Sequence, residues 1–242
     1  MNILLIGILG LLPSIVWLLY YLKKDIHPEP KRMILRVFFL GMIMTIPAYY
    51  IQRAFYEIFS SLPLSPALFT FLFMFIGIAF LEEAIKYLTV RWGAIRSREI
   101  DEPIDIMIYM IVAALGFAAL ENMLYLRFFE EAGAQISHIF LLTVLRFFFS
   151  TFLHALLSGL LGYFLVLSYF YERLRWRFLF AGFGIVTVLH GVFNVYILRT
   201  GELSQFFVPI LILLTLAILL AQAFSSVRRM KSVCVWTPPK HL

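Results

Sequence analysis

The 242-residue chain is 62% hydrophobic and only 14% charged, and its mean hydropathy is +0.93. This composition excludes a water-soluble globular domain, in which about 25% of residues are charged, because a sphere of this size cannot hide so much apolar surface from water. The formal net charge of +6 does not imply nucleic-acid binding, since the basic residues lie mainly in the loops between apolar stretches, where they indicate membrane topology.

Seven continuous apolar stretches follow one another along the chain, each near or above the ~20 residues that cross a bilayer as a helix. Continuous runs favour helices over membrane barrel strands, in which apolar and polar residues alternate. The first stretch lacks a basic region before it and a small-residue cleavage site after it, which predicts a retained span and not a signal peptide. The predicted spans are 3–22, 33–56, 66–90, 104–127, 138–170, 178–198 and 203–224.

The loops after predicted spans 1, 3, 5 and 7 carry most of the lysines and arginines, whereas the opposite loops carry Arg53, Arg127 and Arg199. Because short cytoplasmic loops are enriched in basic residues, we expect the N-terminus outside and the C-terminus in the cytoplasm. We expect one all-α transmembrane domain over residues 1–226, with its functional core at 66–198, and a short basic cytoplasmic tail at 227–242.

Four of the predicted spans carry the polar motifs that suggest a function. Ionisable side chains cost several kcal/mol each inside a bilayer, so each needs a partner or a function. The polar groups are Glu82, Glu83 and Lys86 in span 3, Glu121, Asn122 and Tyr125 in span 4, His154 in span 5, and His190 and Asn194 in span 6.

Helical spacing predicts which of these groups are neighbours. Lys86 is four residues from Glu82 and three from Glu83, so its ammonium can neutralise one carboxylate while the other stays free. Two other pairs are also four residues apart and share a helix face. Glu121 has Tyr125 as a hydrogen-bonding partner, and His190 has Asn194.

The helical rise predicts the depth of each group. At ~1.5 Å per residue, His190 lies about 20 Å from Arg177 at the cytoplasmic edge. Glu83 lies only about 12 Å from Arg91, and roughly 22 Å from Arg98 if the third span continues as helix to that residue. On that condition we expect the side chains to converge in the outer half of the bilayer.

These residue types suit the hydrolysis of a peptide bond, which needs an activated water, a proton donor for the leaving amine and a group that stabilises the oxyanion. A Glu can accept the proton of the water, His can bind a metal or donate protons, and an Asn amide can donate to the oxyanion. With Zn²⁺, three Glu and His ligands would leave one position open for water. No HExxH motif occurs, so the residues alone leave open whether a metal is present.

Four segments, in order and on separate predicted spans, resemble the motif regions of the PrsW family of intramembrane proteases, distant relatives of the CAAX-prenyl-protease and bacteriocin-processing group. They are FLEEAIKY (80–87), LGFAALENMLYL (115–126), TFLHALLSGLLGYF (151–164) and VLHGVFNVYI (188–197). The resemblance extends to HPEPKRMILRVFFLG (27–41) and DEPIDIMIYM (101–110), and so covers most of the chain. It implies cleavage of membrane-tethered substrates of the anti-sigma-factor type, near the extracytoplasmic side of a bacterial or archaeal plasma membrane.

The resemblance also implies roles for individual residues. It assigns the catalytic carboxylates to Glu82 and Glu83, and the metal-binding or water-positioning imidazoles to His154 and His190, with Glu83 as a further conjectural metal ligand. Asn194 matches the HxxxN pattern of the wider group, in which the Asn helps to hold the oxyanion; some PrsW-like proteins have Asp there. The supporting residues are Lys86, Glu121, Asn122 and Tyr125.

Other interpretations remain open. Buried Glu and His residues also serve as relays in proton-coupled transporters and channels, although the chain is small and shows no repeated halves. A non-catalytic binding scaffold, or a protease for prenylated or leader peptides, fits the same fold. The structural alternative for Glu82, Glu83 and Lys86 is a buried ion pair that fixes helix packing, and Arg146 and Asp105 are interpreted as structural or interfacial.

Overall fold

The computed structural model describes residues 3–24, 28–95, 97, 100–197 and 206–230. Within these residues the chain is helical and contains no strand, and seven helical segments are long and apolar enough to cross a membrane. The predicted all-α polytopic bundle is therefore confirmed. The helices are α1 (Ile3–Leu22), α2 (Lys31–Ser61), α3 (Pro66–Leu72), α4 (Leu81–Gly93), α5 (Pro103–Glu131), α6 (Ile136–Arg146), α7 (Phe152–Phe170), α8 (Arg175–Ile197) and α9 (Phe207–Arg229).

The third and fifth spans each widen into a π-helical turn before their polar motif. The segment Phe73–Phe80 joins α3 to α4, and Phe147–Thr151 joins α6 to α7. A π-helical turn shifts the residues that follow it around the helix axis, and such turns are frequent at functional sites. Here Glu82 lies two residues after the first turn and His154 three residues after the second.

The third span ends before Arg98, the residue from which the greater depth of Glu83 was estimated. Its last helical residue is Gly93, and Ala94 leaves the helical region with φ −130° and ψ −48°. The span therefore ends close to its predicted boundary at residue 90, the condition of a helix continuing to Arg98 is not met, and Arg98 itself lies outside the described residues. At the other end of the chain α9 continues to Arg229, while residues 231–242 of the predicted tail also lie outside the described part.

α5 is the central helix of the bundle, since 94% of its most apolar stretch is buried. Small residues bring its neighbours close. A Cβ at Gly116 would lie 2.0 Å from the carbonyl oxygen of Phe38 on α2, and a Cβ at Gly162 on α7 would lie 2.8 Å from the Cα of Met107. Any larger residue would push these backbones apart, so the glycines allow α2 and α7 to hold α5 in contact.

The outer surface of the bundle is apolar. Side chains such as Ile3, Phe180 and Phe207 are at least 70% exposed, and they belong to three different spans. Such a surface is stable against lipid and unstable in water. The chain is a multi-pass membrane protein.

Candidate active site

Four helices bring their polar side chains to a single buried cluster. α4 carries Glu82, Glu83 and Lys86, α5 carries Glu121, α7 carries His154 and α8 carries His190. The side chains of Lys86 and Glu83 are fully buried, and those of Glu82 and both histidines are about 3% exposed. The side chains of the four helices meet, because contacts of 3.1–3.9 Å join the carboxylates of α4 to the imidazoles, while their depth in the bilayer stays a prediction.

Glu83 uses both of its carboxylate oxygens. Its Oε1 accepts from Lys86 Nζ at 2.7 Å and from His190 Nδ1 at 3.1 Å, while its Oε2 accepts from the Ser158 hydroxyl at 3.3 Å. Because a carboxylate accepts hydrogen bonds, the proton of His190 lies on Nδ1. His190 Nε2 faces Glu82, whose Oε2 lies 3.8 Å away.

Glu82 keeps one oxygen without a partner. Gln52 on α2 donates to its Oε1 at 3.0 Å. Its Oε2 is buried and makes no hydrogen bond within the described part of the chain. Three nitrogen atoms lie 3.7–3.9 Å from this oxygen: Lys86 Nζ, His190 Nε2 and His154 Nδ1.

His154 lies between a cation and an anion. Lys86 Nζ is 2.6 Å from its Nδ1, and Glu121 Oε2 is 3.1 Å from its Nε2. An ammonium donates and a carboxylate accepts, so this imidazole is neutral with its proton on Nε2. Arg146 Nη2 donates to the same Glu121 oxygen at 2.6 Å and completes the chain of contacts.

Arg146 also fixes the residues around it. Its Nε donates to Asn122 Oδ1 at 2.6 Å, and its guanidinium lies 4.2 Å from the centroid of the Tyr125 ring. The Asn122 amide group donates to Thr151 Oγ1 at 3.0 Å and to the Gly10 carbonyl of α1 at 3.3 Å. Asn122 therefore joins helices, whereas Tyr125 stacks on the arginine.

A cavity of about 430 Å³ adjoins the cluster. Its polar wall includes Asn194, which makes no hydrogen bond to any described residue, so its amide is available to a bound group. The remaining wall is largely apolar, as in sites that bind small molecules or side chains. The lining includes Glu82, Glu121, Tyr125, Arg146, His154, His190 and Asn194, together with Met74, Ile78, Phe129, Phe149, Phe193 and Phe206, but neither Glu83 nor Lys86.

The donor set fits a divalent metal. One ligand atom from each of Glu82, His154 and His190 lies within 4.8 Å of the other two. One carboxylate with two imidazoles is a ligand set of catalytic zinc sites. The unpartnered oxygen of Glu82 and the carboxylate behind His190 Nδ1 are the features expected of a ligand and of the group that orients a ligand.

The sequence interpretation missed two residues of this site. Gln52 contacts Glu82 and Arg146 contacts Glu121, yet the first was not singled out and the second was interpreted as structural. Both are polar residues within otherwise apolar runs, which is the signal that could have identified them.

The fold and the site define a class of protein, the polytopic membrane hydrolases that act inside the bilayer. A family model described as "PrsW family intramembrane metalloprotease" matches residues 29–221. The chain belongs to this PrsW family of intramembrane metalloproteases, as its four motifs predicted.

Curated relatives agree with the family model. The chain is 32% identical over 186 residues to "Protease PrsW" of Geobacillus kaustophilus, covering 76% of each protein. It is 28% identical over 207 residues to "Protease PrsW" of Bacillus subtilis, covering 85% of this chain and 88% of the relative. No solved structure matches the chain.

Proposed function

We propose that this protease cleaves single-pass, membrane-tethered proteins of the anti-sigma-factor type, close to the outer face of the plasma membrane. The substrate class rests on the family resemblance, and the position of the cavity along α5 supports cleavage near the outer face. Glu121 lies about 27 Å from the start of α5 but only about 15 Å from its end at Glu131, and Phe129 near that end also lines the cavity. The basic residues cluster in the loops after spans 1, 3, 5 and 7, which supports a position of the cavity in the outer half and of the N-terminus outside.

In this proposal Glu82, His154 and His190 hold the metal, with Zn²⁺ as the candidate. The single observation that carries it is the buried, unpartnered Oε2 of Glu82, which faces both imidazoles at 3.8–3.9 Å. Glu83, the conjectural ligand, acts through His190, because its oxygens already accept from three donors. Coordination through His154 Nδ1 requires Lys86 Nζ to leave that nitrogen and keep its ion pair with Glu83.

The residues of the site divide the chemistry. A divalent metal bound there supplies Lewis-acid polarisation and activation of water. Glu82 would hold the metal through Oε2, and its Oε1, which retains a lone pair beyond the one that Gln52 occupies, would accept the proton of the attacking water and return it to the leaving amine. The Asn194 amide donates to the oxyanion, and Arg146 holds Glu121, which in turn orients His154.

The metal content of the purified protein tests the ligand set. We expect about one zinc per chain in the wild type by elemental mass spectrometry, and a large loss of zinc in the Glu82→Gln/His190→Ala double variant. Glu57→Gln is the matched control, because Glu57 forms an exposed ion pair with Arg53 on α2. A wild type that keeps full proteolytic activity after complete removal of metal by a chelator would overturn the assignment.

The substrate class is tested by its products. Membranes from cells that make the wild type or Glu82→Gln are compared by mass spectrometry of newly formed protein termini. We expect new termini at the extracytoplasmic side of single-pass proteins in the wild type alone. New termini confined to prenylated or leader peptides would assign the chain to the other substrate class.

A further inference from the structure

A second cavity, of about 450 Å³, lies between α1, α7 and α9 and shares no lining residue with the active-site cavity. Aromatic rings line its deep part, and two basic side chains lie at its end. We call it the α1–α9 groove. Its lining includes Trp17, Tyr20, Lys24, Phe152, Leu220 and Arg228.

The apolar wall of the α1–α9 groove is held in place by stacking and by a hydrogen bond. Trp17 stacks on Phe152 of α7, with ring centroids 4.2 Å apart and planes inclined by 13°. Its indole Nε1 donates to the carbonyl oxygen of Phe147 at 3.0 Å. The wall is therefore preformed, and an apolar chain can lie against it without loss of side-chain freedom.

The end of the α1–α9 groove carries two basic side chains, and Asp25, the residue after Lys24, lies outside the described residues. Arg228 donates to the carbonyl oxygen of Lys24, which joins the last turn of α9 to the end of α1. Lys24 Nζ lies 4.9 Å from the centroid of the Tyr20 ring. Within the described ranges neither cation has a carboxylate partner, and residues 231–242 contain lysines but no Asp or Glu.

We propose that the α1–α9 groove binds an anionic phospholipid, with its phosphate between Lys24 and Arg228 and an acyl chain along Trp17 and Phe152. Lys24 and Trp17 are about 10 Å apart along α1, which is the step from the headgroup region into the hydrocarbon of a bilayer. Basic pockets between transmembrane helices bind anionic headgroups in this way. Charge complementarity selects an anionic lipid over a zwitterionic one.

The bound lipid should stabilise the start of α7, the helix that carries His154, on the side that faces the groove. Phe152 lies two residues before His154 on α7, and Phe147 directly follows Arg146, so the groove wall backs the segment that carries both site residues. The expected effect is therefore on lipid retention and thermal stability, and it does not require the chain to cleave any substrate.

Lipid retention in native mass spectrometry tests the proposal on the full-length protein. We compare the wild type with Lys24→Gln/Arg228→Gln, and use Lys23→Gln/Arg229→Gln as the matched control, because it removes the same charge next to the same two positions. Each basic group near an anionic surface contributes about a fivefold factor, so the first double variant should retain phosphatidylglycerol about 30-fold less well. The control should retain it like the wild type.

Thermal unfolding gives an independent readout. Phosphatidylglycerol should raise the unfolding midpoint of the wild type above its value in phosphatidylcholine, and glycerol phosphate in solution should not. Arg228→Lys, which keeps the charge, should preserve most of the shift. Equal retention by both double variants, no preference over phosphatidylcholine, or an equal shift with glycerol phosphate would each overturn the proposal.

Discussion

Two clusters of ionisable side chains lie against α5, one at its start and one past its middle, and they differ in how their oxygens are used. One is the Glu82 cluster of the cavity. The other joins Glu29, before α2, to Asp101 and Asp105 at the start of α5. In both, three ligand-type atoms lie within 4.8 Å of one another, so proximity alone does not distinguish them.

The difference lies in how the oxygens are used. Asp105 Oδ2 accepts from the backbone N–H groups of Asp101 and Glu102 at 3.0 and 2.7 Å, and so caps the start of α5. The Tyr109 hydroxyl donates to Glu29 at 2.5 Å. The three ligand-type atoms of the cluster of Glu29, Asp101 and Asp105 all belong to carboxylates. Glu82, in contrast, keeps a buried oxygen without a partner, faces two imidazoles and borders a cavity. Buried carboxylates thus indicate a reaction site when they retain hydrogen-bonding capacity next to space for a substrate.

The sharpest test of this comparison is Glu82→Gln, which keeps the shape of the side chain and removes its charge. We expect the rate of cleavage to fall by about 10³-fold, within the range that a positioned acid or base contributes. The measurement is the rate at which new termini form in proteoliposomes. Glu57→Gln should cleave at the wild-type rate, and a Glu82→Gln rate within about tenfold of wild type would contradict the assignment.

A smaller effect is expected for Asn194→Ala. Loss of one oxyanion donor typically lowers kcat by about 10²-fold, and the metal content should not change because Asn194 is outside the ligand set. Single-turnover kinetics and elemental analysis of the same sample separate the two. A loss of zinc together with activity would show that Asn194 acts on the ligands and not on the oxyanion.

The sequence predicted the spans well because lipid imposes continuous apolar runs of a fixed length. The four polar motifs were also identifiable, since each places a costly group in an apolar run. The rotation of each helix about its axis was not predictable. Glu82 and Glu83 are adjacent and about 100° apart around α4, and it is packing that turns Glu82 towards the cavity and Glu83 towards Ser158.

Contacts between helices that are far apart in sequence could not be predicted either. Asn122 was predicted to support the catalytic groups, and its Oδ1 accepts from Arg146; its amide nitrogen also bonds α1 and the π-helical turn before α7, which the spacing did not predict. Gln52 reaches Glu82 across 30 positions of sequence. Neither contact has a spacing signal, because each depends on which helices become neighbours.

Arg146→Gln tests the chain of contacts that ends at His154. Groups that orient metal ligands typically contribute 10–100-fold to affinity or activity, so we expect a loss of about that size in cleavage rate. Arg127→Gln is the matched control, because Arg127 forms exposed ion pairs with Glu130 and Glu131 near the end of α5. Zinc retention on dialysis against a chelator should weaken in parallel for Arg146→Gln alone.

The smallest effect is expected at the start of α5. Asp105→Ala removes the oxygen that accepts from the backbone N–H groups of Asp101 and Glu102, so the cap should weaken by about 1 kcal/mol. The unfolding midpoint should fall by a few degrees while the cleavage rate and zinc content stay at wild-type values. A loss of activity comparable to that of Glu82→Gln, in protein that is still folded, would break the distinction between the two clusters, because it would show that the Asp105 carboxylate contributes more than a helix cap.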